Sequence, residues 1–339
     1  MIELRNNGLV FAFPEVHPEA RMTVHFQRTL RIPDDGASYP LPPGLGSFPL
    51  RHVDDFAPRI PPAWLEQGGV MLPMYQAEAM WLHFDDDHID SRGTGYPFAI
   101  KVATGKLNAV TGSEWRPRLH RPQDYLVAPE QPWLDGYCVE QGLVRQFVAM
   151  PLGAGYTAEE QLTGKAEHGG LQIMVYPMKR EAFERRFPSR AIPTMAREAD
   201  GHFVLFAAPA MGLAPGGLMR QEIYADPFDI NDWDTDHSSR CFVHIANSMV
   251  WRAITGGAPP TTPPTSEEYT RAGLPWFDYL DENANALRGS KILAGLKSVF
   301  TMGKEKGDVP LPENQTVEPA HIRHLRKGLK EAQVREGVF

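Results

Sequence analysis

A chain of 339 residues with a net charge of −8 is long enough for one large or two ordinary domains, and too acidic for a general nucleic-acid binder, which needs a basic face. An apolar content of 42 % supports a sizeable core and excludes global disorder. The 31 prolines stand well above the average usage of about 5 %. Because proline lacks an N–H and fixes φ, this composition predicts a β-rich fold of short strands rather than long helices.

The two cysteines, Cys138 and Cys241, are too few for a disulfide framework or a zinc ribbon. The N-terminus lacks a basic stretch followed by a long apolar run. The longest uncharged apolar run, residues 203–219, is broken by two prolines and three glycines. These features predict a soluble, cytoplasmic protein with no membrane span.

In chain order, residues 9–13 and 22–32 read as strands. In the second, Met22, Val24 and Phe26 alternate with Thr23, His25 and Gln27, the pattern of a half-buried strand. Residues 33–63 carry eight prolines and read as an extended strap anchored by Leu41, Leu45, Phe48, Leu50 and Phe56. Strands are expected within 70–84 and 97–110, and at 137–140, 143–150, 171–176, 203–207, 218–224 and 241–245, with a short helix at 179–187. Residues 257–265, GAPPTTPPT, form a stiff connector. Beyond it Trp276, Phe277 and Tyr279 make an aromatic plug. Leu287, Ile292, Leu293, Leu296 and Val299 have helical spacing. A last helix is expected over 319–335, with a stripe of Ile322, Leu325, Leu329 and Ala332 flanked by Arg323, Arg326, Lys327 and Lys330. That basic helix either docks, on the acidic body or on a second copy to give a homo-oligomer, or is a frayed, solvated terminus.

The division is therefore N-terminal strands and strap over 1–69, a central β body over 70–256, and a connector with a helical extension over 257–339. The fold class is mainly β, an antiparallel β-sandwich body. Residues 98–112 also align with 242–256, both ending in Ala–aliphatic–Thr–Gly after an acidic, His-containing loop. Either the body holds two pseudo-repeated β units or two β-rich segments coincide.

Three groups of residues carry candidate chemistry. Asp85, Asp87 and His88 in one loop, and Asp232, Asp234, Asp236 and His237 in another, have the donor types of a divalent-cation site. The second loop begins like an EF-hand but has His237 at its sixth position and Val243 at its twelfth. Asp also favours plain solvated turns. The stretch with Gln123, Asp124, Tyr125, Gln131, Trp133, Asp135 and Tyr137, together with Arg145 and Gln146, offers the aromatic faces and amides of a site for a polar small molecule or glycan. The competing role of such residues is core packing. Glu159, Glu160, Glu167 and His168 could divide acid and base work or sit as exposed turn charges, and one glutamate could pair with Arg145. No nucleophile elbow, phosphate loop, dinucleotide fingerprint or H-E-x-x-H occurs.

The segments YPFAIKVATGKLNAVTG, PQDYLVAPEQPWLDGY, VRQFVAMPLGAGYTAEEQLTGKAEHGGLQI, FVHIANSMVWRAITG and GLPWFDYLDE resemble a family of uncharacterised bacterial and fungal proteins. The resemblance spans most of residues 70–300 and implies that this stretch travels as one unit; it implies no activity. Two function classes follow from the residues. One is a non-catalytic β-sandwich protein that binds a polar ligand or self-assembles. The other is a metal-assisted enzyme acting on a glycan or similar polar substrate through the Asp/His loops.

Overall fold

The computed structural model describes residues 1–89, 91–189, 210–263, 265, 268, 274–280, 284–308, 319 and 321–326. Strands dominate. The N-terminal part contributes β1 (Ile2–Arg5), β2 (Gly8–Ala12), β3 (Arg21–Leu30), β4 (Ser38–Tyr39), β5 (Gly44–Ser47) and β6 (Arg51–His52). Next come β7 (Val70–Pro73), β8 (Glu78–Asp86), β9 (Phe98–Thr104), β10 (Leu107–Asn108), β11 (Leu126–Ala128), β12 (Trp133–Leu134), β13 (Gly136–Glu140) and β14 (Leu143–Pro151). The series closes with β15 (Leu171–Pro177), β16 (Ala210–Arg220), β17 (Ser239–Ala246), β18 (Trp276–Leu280) and β19 (Ile322–Arg326). Short helices intervene: α1 (Pro62–Gln67), α2 (Ala158–Thr163), α3 (Arg180–Arg186), α4 (Ser248–Thr255), α5 (Lys291–Ala294) and α6 (Val299–Lys306).

The ladders are mostly antiparallel and form two wings. In one, β1, β2, β3, β8, β14 and β16 pair in that order. In the other, β11, β9, β15 and β17 pair in that order. The wings join where Ala210 and Met211 of β16 meet Ala246 and Ile245 of β17. Among the described residues, parallel pairing occurs at β4 on β16, at β7 on β17, in the separate β18–β19 pair and at the single Gly170–Gly212 bridge. The β1–β2 hairpin turns through Asn6 and Asn7, both at positive φ (48° and 59°), which asparagine tolerates better than most residues. The N-terminal strands thus belong to the same sheet as the central body.

Alternation explains how the wings meet. Met22, Val24 and Phe26 of β3 are buried while Thr23, His25 and Gln27 are half-buried, as the sequence predicts. These side chains share one core with Phe98, Ile100, Val102, Ile173 and Val175 of the other wing. The Phe13 and Phe98 rings lie 6.0 Å apart. Smaller clusters cover the outer faces: α4 packs Val250, Trp251 and Ile254 with Trp64 and Met71, and α6 packs Val299 near Val148 and Ala214. The strap is extended only in its first part: residues 54–59 turn into a 3-10 helix and α1 begins at Pro62. Of the expected anchors, Leu41, Phe48, Leu50 and Phe56 are buried while Leu45 is half-buried.

Several expectations change. The proposed helix over 319–335 is a strand at 322–326, paired in parallel with β18; residues 327–335 lie outside the described set. The β18 pairing supplies backbone partners that a narrow apolar stripe on a helix would not need. The helical pattern at 283–303 resolves into α5 and α6. The segments 98–102 and 242–246 are both strands and flank β15 on opposite sides, but a hairpin follows the first and α4 follows the second. The strand expected at 203–207 lies outside the described residues. Among the described residues no helix is long and apolar enough to cross a membrane.

All of β9 is buried, including a lysine. The Lys101 ammonium donates to Asp124 at 2.6 Å, to the Arg116 carbonyl at 2.8 Å and to the Arg118 carbonyl. One cation thereby ties the 116–124 loop to the strand. Removing one partner of such a pair strands the other charge in the core. Lys101→Met is expected to cost about 3 kcal/mol in urea denaturation, and adding Asp124→Leu to recover part of that loss.

Candidate functional site

The sheet register assembles a cavity of about 210 Å³ on the outer side of β8 and β12. Trp133 pairs with His83 and Leu134 with Leu82, so continuing the register sets residue 135 opposite residue 81. Trp81, Trp133 and Asp135 accordingly line one space. The strap roofs it with Leu41, Pro42, Pro43 and Gly44, and Phe277 of β18 closes a side. Reciprocal 2.8 Å backbone bonds between Leu41 and Phe277 hold strap and β18 together. Tyr279 packs edge-on against Trp133 at 4.7 Å, and Arg220 grips Asp278 through two bonds of 2.9 and 3.0 Å.

Asp135 sits at the bend between β12 and β13. Gly136 allows the bend, because a Cβ there would lie 1.9 Å from the Arg145 carbonyl oxygen. The Asp135 side chain is only 4 % exposed. Its Oδ2 has no hydrogen-bond partner among the described residues, and neither has the Trp81 indole nitrogen. Burial raises the carboxyl to about 7, with only a hydrogen bond from the Trp133 side chain opposing it. Two residues of the otherwise apolar lining, Asp135 and Trp81, thus each carry one buried polar atom without a partner, which is costly.

Buried glutamines fix this wall. Gln131 donates to the Trp133 and Glu222 carbonyls and accepts from the Tyr224 N–H. Gln221 donates to the Trp133 carbonyl at 3.2 Å and accepts from the Asp135 N–H at 2.9 Å. Gln123 donates to the Tyr125 and Tyr224 carbonyls and accepts from the Asp226 N–H. Segment 221–226 is thus stitched to 123–135 by side-chain amides.

Of the seven ligand-site residues expected from the sequence, Trp133 lines the cavity. The others spend their polar atoms inside the protein. Gln123 is a staple, Asp124 holds Lys101, and Tyr125 donates to Asp226 at 2.6 Å. Tyr137 donates to the Leu213 carbonyl and accepts from the Thr104 hydroxyl. Arg145 pairs with Asp34 at 3.2 Å, not with a glutamate, and Gln146 accepts from the Ile32 N–H and donates to the Leu30 carbonyl. Asp135, in the same aromatic stretch, joins Trp133. Trp81, Pro42, Pro43 and Phe277 escaped the sequence reading, because nothing local marks a β8 residue, a proline strap and a C-terminal strand as neighbours.

The acidic loops do not converge. Among the described residues no three His, Cys, Asp or Glu side chains are grouped to hold a metal ion. Asp85 lies 3.8 Å from His25, Asp87 lies 3.6 Å from Arg21, and His88 is exposed. Asp232 is gripped by Arg185 and Arg186, at 3.0 and 2.5 Å. Asp234 caps its own turn, accepting from the Asp236 and His237 backbone and lying 3.0 Å from the His237 ring; Asp236 is exposed. Glu159 is buried and accepts from the His168 and Gly169 N–H groups. Glu160 completes the capping box of α2, and Glu167 pairs with Lys165 at the surface. Cys138 and Cys241 are free, and burial raises both thiols to about 12, which leaves them unreactive.

A second cavity of about 280 Å³ lies against the other wing, beside Trp115, Gln172 and Phe242. The charged residues on its rim, Lys106 and Arg240, are exposed to solvent. The unpaired buried carboxyl makes the Asp135 cavity the stronger candidate. No family model matches the chain, and no curated protein or solved structure matches it either. Fold and cavity together define an antiparallel β protein with an aromatic, acid-bearing pocket.

The raised Asp135 carboxyl sets a pH dependence. The folded state holds this proton more tightly than the unfolded state, whose carboxyl titrates near pH 4. Its contribution to stability is intact below about pH 4 and is lost as pH rises through about 7. Asp135→Asn is therefore expected to be more stable than the parent protein at about pH 8, by up to about 4 kcal/mol, with the gap closing near pH 4. Differential scanning calorimetry across that range measures it. Gln131→Leu removes three bonds to buried backbone and is expected to cost about 2 to 3 kcal/mol in the same experiment.

Proposed function

We propose that the chain is a non-catalytic binding protein whose ligand is a compact polar molecule seated between Trp81, Trp133 and Phe277. The buried, unpartnered Oδ2 of Asp135, a residue of the cavity lining, carries the reading. A buried acid costs stability, and an occupant that supplies a hydrogen-bond donor recovers it. The aromatic walls give contact area, and the prolines of the strap give a stiff roof. The metal-assisted alternative draws no support from the acidic loops, whose carboxylates cap turns and pair with arginines and histidines. The self-assembly reading rested on a terminal helix, and β19 occupies its first part.

The test is a ligand panel of glucose, acetamide, isoamyl alcohol and dimethylaminoethanol, read by tryptophan fluorescence and thermal melting. At least one compound is expected to alter the fluorescence and raise the Tm. A ligand at about 100 times its Kd stabilises by about 2.7 kcal/mol. Trp133→Leu, which keeps apolar bulk, is expected to weaken that response at least about tenfold. A panel without any response overturns the reading.

A further inference from the structure

The charge balance around Asp135 narrows the ligand class, an inference that rests on the cavity being a binding site. Among the described residues, the charged or titratable neighbours on the surrounding elements are engaged elsewhere or disfavoured as cations, His324 of β19 lying 3.7 Å from Asp278. On β14, Arg145 is paired with Asp34. Arg220, at the end of β16, is paired with Asp278 of β18. On the strap, Asp35 accepts from the Tyr39 hydroxyl at 2.6 Å. His83 on β8 has its ring pKa lowered by burial, which disfavours its charged form. Glu222, beside Gln221, is an acid and supplies no positive charge. No internal cation remains among these groups to pair with Asp135, and burial rather than any charged neighbour sets its proton affinity.

Three aromatic side chains face the same space. Indole and phenyl faces attract cations, most strongly where water is excluded. Trp81 adds an indole N–H that needs an acceptor. The volume of about 210 Å³ lies below the roughly 300 Å³ at which drug-sized pockets begin, so the occupant is small.

We propose that the occupant is a small alkylammonium bearing an oxygen acceptor, an amino-alcohol-type cation. Its ammonium N–H donates to Asp135 Oδ2 between the ring faces, and its oxygen accepts from the Trp81 indole N–H. When a protonated Asp135 binds this cation, the carboxyl proton leaves to bulk water and the ligand keeps its own. Binding is thereby linked to proton release.

Dimethylaminoethanol and isoamyl alcohol test this directly. They match in size and shape and differ in whether a protonated nitrogen or a carbon sits at the branch. Titration calorimetry of the full chain near pH 7.5 is expected to give a Kd at least about tenfold lower for the amine. Repeating the amine titration at about pH 6 in buffers of different ionisation enthalpy is expected to show proton release. In Asp135→Asn the two Kd values are expected to fall within about threefold of each other, with isoamyl alcohol still bound as proof of an intact cavity. Equal affinity of the two compounds for the parent protein, or amine binding without proton release, overturns the cation assignment while leaving the cavity reading in place. Failure of all four panel compounds overturns both.

Discussion

Backbone that runs through the interior without a strand beside it must still find hydrogen-bond partners, and here buried glutamines provide them. A side-chain amide carries the same donor and acceptor as a peptide group. Gln123, Gln131 and Gln221 use both, bridging residues 123–135 to residues 221–226 where no ladder forms. The rest of the cavity depends on this stitching. It fixes the carbonyl of Trp133 and the N–H of Asp135, and so the directions in which those two side chains leave the backbone.

Asp135 is the counterpart of that rigidity. Its backbone is satisfied and one of its carboxylate oxygens is not, so the fold carries an acid whose ionised form is disfavoured by burial. Lys101 shows that the same chain can satisfy a fully buried charge completely, with a carboxylate and two carbonyls around one ammonium. The contrast separates structure from binding. Lys101 spends its bonds holding a loop to β9, whereas Asp135 keeps one oxygen uncommitted in an aromatic recess.

The recess draws on parts of the chain far apart in sequence: the proline strap, the middle of β8, the β12–β13 bend and β18. Proline at 42 and 43 stiffens a roof that would otherwise lose backbone entropy on binding. The Leu41–Phe277 bridge makes the C-terminal extension a wall of the site rather than an appendage.

How much was legible in the residues themselves follows from what each signal depends on. Alternation in β3 and the Pro and Gly punctuation are local, so they revealed an antiparallel β protein, the strap with its apolar anchors, and the helix at 180–186. Residue types also marked the aromatic stretch containing Trp133 and Asp135 as special. They could not say which amides face a ligand and which staple backbone, since Gln123 and Gln131 have identical chemistry in either role. The aspartates of the acidic loops likewise look like metal ligands until Arg185 and Arg186 are found on Asp232. Strand formation at 322–326 needed β18 beside it, because an edge of free N–H and C=O groups outweighs a weak helical stripe. The sequence by itself determined the β character and the supply of aromatic and acidic groups. Only the tertiary structure decided which of them remain unpaired in one cavity, because pairing is a property of neighbours that long-range strand register brings together.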